Sequence, residues 1–531
     1  MPGLRRIFAT HIAAAAALAA ALASSGAAPT RGSAAPFPAE FLPVRHAAYE
    51  DLEALAARGL LDSIQIYTRP LARTDVARAL LRAVARHPDV GSNLHYRRLE
   101  RELARELTDL EAPPARAESG PLVDTGDRGG RFRVQAAAHV RGDYDEKRDV
   151  AHFQFKDETS ATARLALQAG SAFGAFEEIG VTRIRSQREF IDAIALNSDL
   201  ETTTLRAELT GRAGGFTGAA GYEMFRWGPG RRGTLLLSDA AGPMGFLSLS
   251  QTIAGRVTAT ALSGQLSRAD RRFLAAHRIE AAVTRRLSVG IAEAVRYPSD
   301  GIDLLYACGL IPYAIVERTH IRDAATDSVR GGERANIMAS LDLVWRPAPA
   351  LTLYGEILLD DLATENREMP DRIAYQAGFR SERPYGARTV RLLGEYTRVR
   401  NFTYAVEYGQ NFIHRGRPLG FALGPDVENV FVEAGYELSR DWGLRWTGDF
   451  TNRGEGRLGD AWSPALGPVP NAGLTGVVEE RREVWGDARW LPRDNVDVSL
   501  GLGYRRVRNE EHIAGRTRTA WLGRLAAELR Y

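Results

Sequence analysis

The sequence predicts an all-β transmembrane barrel of about 18 antiparallel strands, preceded by a small N-terminal α-helical bundle. Three observations predict it. The final stretch, Trp521 to Tyr531, alternates apolar with charged residues and carries an aromatic at each end. The same alternation recurs from about Arg131 onward. Short and long connections between the alternating segments follow one another in a regular order.

The final stretch carries Trp521, Gly523, Leu525, Ala527, Leu529 and Tyr531 at odd positions, and Arg524, Glu528 and Arg530 among the even ones. Successive side chains of a strand point to opposite faces, so one face is apolar and the other charged. A soluble, half-buried strand alternates too, but need not place an aromatic at each end. A membrane strand spans about 9–11 residues and wants aromatic girdles at both interfaces. The stretch has the pattern expected of a barrel's closing strand.

Bulk properties agree. The chain has 531 residues with formal net charge +3, which gives no global case for nucleic acid. Mean hydropathy is −0.25. Beyond the N-terminus no apolar run is long enough for a helical span. Barrels stay open, because lumen-facing residues dilute hydropathy. Lys147 and Lys156 are the only lysines, and Arg forks better onto carboxylates. Cys308 is the sole cysteine, which excludes intrachain disulfides and Cys-based metal sites.

In chain order, residues 1–23 read as a signal peptide: Arg5 and Arg6, an apolar run from Ile12 to Leu22, and a small-residue cleavage site at Ala21-Leu-Ala23. Residues 24–45 read as a flexible lead-in. Residues 46–114 read as a periplasmic helical bundle or plug. Its first helix carries Leu52, Leu55 and Ala56, with Gly59 as C-terminal cap. Thr74 can cap a second, with Val76, Leu80, Leu81 and Val84 in a stripe. Ser92 can cap a third, with Leu99, Leu103, Leu107 and Leu110. Such stripes must bury against each other or against another body.

Residues 131–531 read as the barrel. Clear alternation includes Ile337/Ala339/Leu341/Leu343/Trp345 and Val496/Val498/Leu500/Leu502/Tyr504. Bacterial barrels have short periplasmic turns, long outer loops and an even strand number. Placing Tyr531 inside and counting backward keeps the long segments outside, provided 388–408 is one strand. Strands then start near 131, 151, 161, 202, 216, 246, 256, 273, 287, 336, 350, 372, 388, 427, 443, 479, 495 and 518. Outer loops fall near 141–150, 170–201, 227–245, 264–272, 298–335, 361–371, 409–426, 452–478 and 506–517. A count of 16 stays open, because the segments between 131 and 202 alternate least clearly.

Several segments resemble the capsule assembly protein Wzi family. They are Tyr49-Glu-Asp-Leu, Arg58-Gly-Leu-Leu61 and Arg69-Pro-Leu; Arg226-Trp-Gly-Pro-Gly-Arg231 with Leu236-Leu-Ser-Asp239; and Phe273 to Glu280, Leu353 to Asp361, and Gly416-Arg-Pro-Leu-Gly420 with Gly424-Pro-Asp426. The resemblance implies an outer-membrane barrel obstructed by a periplasmic helical bundle. It implies a lectin-like surface protein that holds or organises capsular polysaccharide. The sequence departs from it at Phe421, where a polar residue, often His, is expected; no ligand role is assigned there. The helical segment also resembles an S-layer homology module, which implies a cell-wall-binding alternative.

Two loops placed outside by the parity rule offer candidate glycan contacts. Loop 227–245 holds Trp227, Arg231, Arg232, Ser238 and Asp239; loop 409–426 holds Asn411, His414, Arg415, Arg417 and Asp426. Sugars stack on aromatic faces, and bidentate Arg binds acidic glycans. The plainer reading makes Gly228-Pro-Gly230 and Gly424-Pro-Asp426 tight turns and the Arg residues a solvated rim.

Other clusters read as structural. The acids Asp143, Asp145, Glu146, Asp149, Asp157 and Glu158 lack calcium-loop spacing and are interrupted by Lys147, Arg148 and Lys156. Glu356, Asp360 and Asp361 could serve glycoside hydrolysis, but lumen charge is expected in any barrel. His277 has no partner at metal-ligand spacing and reads as a strand residue. No catalytic group, cofactor or metal site is assigned. The expected function is non-catalytic binding and organisation of capsular or extracellular polysaccharide at the outer membrane. The expected partners are outer-membrane lipid and that polysaccharide, with peptidoglycan or periplasmic proteins at the helical bundle. The alternatives are a channel for small polar solutes and a structural anchor to the cell wall.

Overall fold

The computed structural model describes residues 40–530, apart from 62–63, 111–122, 127–129, 150–151, 170–171, 185–193, 196–199, 327–333, 362–368, 386–387, 470–472 and 494–495 and the single residues 214, 440 and 468. The expected signal peptide, most of the lead-in and the bundle's last residues lie outside the described residues. The lead-in was expected to run to residue 45, yet the chain is already built into the barrel at Glu40. Phe41–Leu42 pairs antiparallel with Leu71–Ala72. The Phe41 N–H donates to Glu208 on the barrel wall at 3.0 Å.

Four α-helices follow: α1 (Ala48–Ala57), α2 (Arg73–Arg86), α3 (Leu94–Glu102) and α4 (Ala104–Asp109). Gly59, at φ 72°, takes the left-handed turn that ends α1. Two caps differ from expectation. Thr74 lies inside α2, whose N-cap is Ala72 with no side-chain cap. Asn93, one residue after Ser92, caps α3 and accepts from the His95 N–H at 2.9 Å. The third stripe breaks at Leu103, so α3 and α4 are separate. Leu52, Leu55, Val76, Leu80, Leu99 and Leu107 share one core, and Val344 and Tyr354 of the barrel belong to it. The bundle therefore buries part of its apolar surface against the barrel's inner wall.

Eighteen strands of 8–20 residues form the barrel among the described residues. They are β1 (Gly130–Asp149), β2 (His152–Ala169), β3 (Phe173–Ile184), β4 (Leu200–Ala213), β5 (Phe216–Glu223) and β6 (Met244–Ile253). Next come β7 (Val257–Ser267), β8 (Arg272–Ala282), β9 (Leu287–Pro298), β10 (Asn336–Ala348), β11 (Leu351–Asp361) and β12 (Arg372–Tyr385). The last are β13 (Arg388–Val399), β14 (Val427–Glu437), β15 (Trp442–Arg453), β16 (Glu479–Arg493), β17 (Val496–Arg508) and β18 (Thr517–Arg530). Neighbours pair antiparallel, and β18 closes onto β1 with Leu525 opposite Gly142. Val123–Gly126 and Ile194–Ala195 add short pieces to β1 and β4.

The alternation sorts as predicted. Along β10, Leu341, Leu343 and Trp345 are exposed outward, while Met338, Ser340, Asp342 and Val344 are buried inward. Aromatic pairs mark both rims: Tyr504 with Trp521 at 5.2 Å, and Trp442 with Trp490 at 5.6 Å at the short-turn end.

Most strands begin within two residues of the expected positions. The exception is 151–201. The segments from 151 and 161 are one strand, β2, and β3 lies where a loop was expected. One feature of β3 hides it: Glu177 follows the outward parity of Ala175 and Ile179, so a charge falls on the face that should be apolar. The expected strand 388–408 is also shorter: β13 stops at Val399, and the chain turns inward after it.

The bundle sits in the short-turn mouth. The Gln65 amide donates to the Arg256 carbonyl at 3.2 Å, and the Ala350 N–H to the Ala57 carbonyl at 3.0 Å. Arg58 pairs with Glu382 at 2.7 Å and Arg98 with Glu437 at 3.1 Å. On the barrel parity rule this is the periplasmic end.

Candidate functional site

Two long connections at the opposite end do not project from the barrel. Residues 224–243 leave β5 and turn into the lumen. There Arg226–Trp227 pairs antiparallel with Thr68–Arg69 of the N-terminal segment. The Gly228 N–H donates to the Tyr67 carbonyl at 2.9 Å. Trp227 is 1% exposed, packed among Leu235, Leu237, Met244 and Phe421 in one core cluster. Gly230 is required by close approach: a Cβ there would strike the Gly233 carbonyl and the Gln376 side chain.

Carboxylates on the barrel's inner face hold this loop. Glu395 accepts the backbone N–H groups of Arg231 and Arg232 at 2.5 and 2.8 Å. Glu356 accepts from the Leu235 N–H at 2.9 Å. Arg231 reaches Glu50 of α1 at 2.6 Å and Glu433 at 3.4 Å. Arg232 pairs with Asp449 at 2.8 Å. Asp239 takes Arg45 at 2.6 Å and Arg226 at 3.4 Å. Burial would raise the Asp239 carboxyl, but these two guanidiniums outweigh it and hold it below its ordinary value.

Residues 400–426 fold in beside the first loop. Tyr404 is fully buried; its hydroxyl donates to the Leu235 carbonyl at 2.7 Å and accepts the Phe421 N–H at 3.1 Å. Asp360 accepts the Tyr404 N–H at 2.7 Å. Thus the carboxylates Glu356 and Asp360 seat the two loops. Tyr404, Phe412, Leu419 and Phe421 join Trp227 and Leu235 in the same core. Phe421 therefore fills an apolar position, which explains the departure from a polar residue there.

A small hairpin, Ile413–His414 against Arg417–Pro418, rises from this loop. Its central residues Arg415 and Gly416 both have positive φ, at 50° and 73°, as a two-residue type I′ turn demands. His414 is buried against the Pro243 carbonyl at 3.2 Å. Arg415 donates to the Tyr222 hydroxyl at 2.9 Å. Arg417 is exposed. Asp426 is fully buried and accepts the N–H groups of Gly456 and Thr475 at 3.0 and 3.3 Å.

The structure thus divides the eight candidate residues. Trp227, Arg231, Arg232 and Asp239 were expected in an outside loop but lie within the inward fold, because buried carboxylates and an apolar core draw them in. His414 and Asp426 are buried scaffold. Arg415 and Arg417 stand on the outer hairpin, and Arg417 is the exposed one. Glu395, Glu433 and Tyr404 organise the loops and carried no motif; Glu50 does so too, and stood in the Tyr49-Glu-Asp-Leu segment with no role assigned. Strand parity alone could have marked Glu395 and Glu433 as inward-facing. His277 is a strand residue as expected, 3.2 Å from Glu293. Among the described residues no group of His, Cys, Asp and Glu is arranged to hold a metal ion.

Among curated protein sequences no match is found. Among solved structures, the chain is similar to Wzi, an outer-membrane protein involved in group 1 capsule assembly in Escherichia coli and a carbohydrate-binding β-barrel. That likeness covers 93% of this chain and 100% of that one, at 15% identity and TM-score 0.59. A BenF-like porin from Pseudomonas fluorescens is more distant, at 7% identity and TM-score 0.44 over 75% of this chain and 98% of that one. The outer-membrane protein OpdK from Pseudomonas aeruginosa gives 10% identity and TM-score 0.42 over 75% and 98%. The family described as capsule assembly protein Wzi matches over residues 129–522, nearly the whole barrel, and the chain belongs to that family.

Proposed function

We propose that this protein sits in the outer membrane, binds capsular polysaccharide at the face made by its outer loops, and performs no chemistry on it. Family membership supports the polysaccharide. So does the Escherichia coli relative, described as a carbohydrate-binding barrel of capsule assembly. The observation that carries the reading against a channel is the filled lumen. Trp227, Leu235, Tyr404, Phe412 and Phe421 are buried in a core between the walls, and the loop bearing Trp227 pairs with the N-terminal segment. A diffusive pore needs water-lined passage, and an apolar core denies it. The exposed Arg417, on a tight hairpin, suits an acidic sugar, since guanidinium forks onto carboxylates.

Two measurements test this together. Purified capsular polysaccharide should bind the full-length protein in detergent, measured by calorimetry. Single-channel conductance in a planar bilayer should be silent for the full-length protein, and deleting residues 38–118 measures what the bundle adds to the loop core in closing the lumen. Steady currents from the full-length protein would make it a channel. Failure to bind the glycan, with co-sedimentation on peptidoglycan lost in the deletion, would make it a cell-wall anchor.

A further inference from the structure

The connection between β9 and β10 was expected to stand outside as a loop. It instead forms two helices, α5 (Leu304–Ala307) and α6 (Tyr313–Thr326), that pack on the barrel's outer wall. The face they cover is the lipid-facing one. Phe273, Ala275 and His277 share strand parity with Ile279, and Val295 and Tyr297 share it with Ile291. Ile279 and Ile291 are openly exposed, whereas Phe273, Ala275, Val295 and Tyr297 are buried beneath the helices. A seam of rings joins the two: Tyr297 stacks on Tyr306 at 4.6 Å, and His277 meets Tyr313 at 4.6 Å. Gly309 lies so close to the wall that a Cβ would meet Ala261 at 2.8 Å. The Tyr313 N–H donates to Glu293 at 3.2 Å, so the hairpin also partly covers the His277–Glu293 pair.

The hairpin's other side exposes three large apolar residues, with Arg318 beside Ile315 on the longer helix. Leu304 is 82% exposed, Leu310 88% and Ile315 55%. These residues continue sideways the band that Ile279, Ile291 and Leu341 present to acyl chains. We propose that this hairpin lies in the acyl layer of the outer leaflet, with Leu304, Leu310 and Ile315 as its lipid contacts. Amphipathic helices at a membrane boundary bury one face by a few ångströms in this way. Here the helices do not insert alone: the aromatic seam holds them to the wall. Lipid would cover their outer side.

Cys308, exposed at the end of α5 and the sole cysteine, provides the probe. The full-length protein carries a bimane label on Cys308 and is reconstituted in phosphatidylcholine vesicles containing 5-doxyl or 12-doxyl phosphatidylcholine. Lipid-borne doxyl should quench the label several-fold more than aqueous iodide does. A Leu310→Cys label in a Cys308→Ser background should respond likewise. Strong iodide quenching with no doxyl effect would place the hairpin in water and overturn the proposal. Protection from both quenchers would overturn it too, in favour of a second copy covering this face.

Discussion

Arg231, from a connection at the outer end, places its Nη2 2.6 Å from Oε1 of Glu50 in α1, so the loop and the N-terminal bundle meet inside the barrel. Glu50 is shared: Arg391 and Arg445 of the wall reach it at 2.7 and 3.2 Å. Burial would raise its carboxyl, but the three guanidiniums hold it well below the usual range. Glu50→Gln leaves three guanidiniums facing a neutral amide and should destabilise the docked bundle by roughly 3–5 kcal/mol. Arg231→Ala leaves Glu50 two partners and should cost less, about 1–3 kcal/mol. Thermal unfolding in detergent measures both, and the order of the two losses is the test.

Trp227 anchors the inward loop among buried residues of both loops and of the wall. Trp227→Ala should cost roughly 3–5 kcal/mol, through the lost burial and the cavity left behind. Trp227→Phe should recover most of it. Chemical denaturation of the three proteins decides; equal stability would mean the loop is not seated on this ring.

His95 of α3 lies between two carboxylates, Nδ1 2.6 Å from Asp51 and Nε2 2.6 Å from Glu382. Arg98 stands 3.8 Å from Asp51, and Arg58 and Arg391 also contact Glu382. Burial lowers the imidazole pKa, but the hydrogen bonds to both carboxylates and their charges raise it further, for a net upward shift. A raised folded-state value stabilises the protonated form. The contribution is therefore complete below the ordinary histidine value of about 6.5 and is lost as pH rises through the folded value. Protease sensitivity of the bundle should increase with pH over that window. His95→Gln should flatten the dependence; an unchanged slope would assign it to other groups.

Arg417 should contribute to glycan binding without contributing to stability. It is exposed on the hairpin tip. Arg417→Ala should weaken polysaccharide binding by roughly tenfold if it forks onto an acidic sugar, with unfolding temperature unchanged. Raised salt should weaken the native protein's binding and leave the variant less affected.

Much of the barrel was legible because strand parity is a local property. A lumen-facing and a lipid-facing residue must alternate, so β10 and β17 announce themselves in ten residues. β3 was missed because Glu177 puts a charge on its outward face, so the alternation fails locally. The total of eighteen agrees because β2 was read as two strands while β3 was read as a loop. The helical stripes and the Gly59 cap were legible, but the two N-caps were not: Ser92 and Asn93 are both good capping residues, and only backbone geometry chooses. The glycan candidates were chosen by residue type and loop position. That choice placed Arg417 outside, where it is exposed, and misplaced Trp227, because an Arg- and Trp-bearing loop reads the same whether it faces out or turns in.

By itself, then, the sequence determined the barrel, most of its strands, the bundle ahead of it and the family resemblance. Each follows from periodicity, turn chemistry or motif, which neighbouring residues carry. The tertiary structure alone decided where the long connections go. Residues 224–243 and 400–426 turn into the lumen, and residues 304–326 lie on the outer wall. Those destinations depend on partners far along the chain: Glu50 for Arg231, Leu235 for Tyr404, and His277 for Tyr313. Long-range ion pairs and core contacts leave no periodic trace in sequence, so only the closed barrel, by bringing its walls together, selects them.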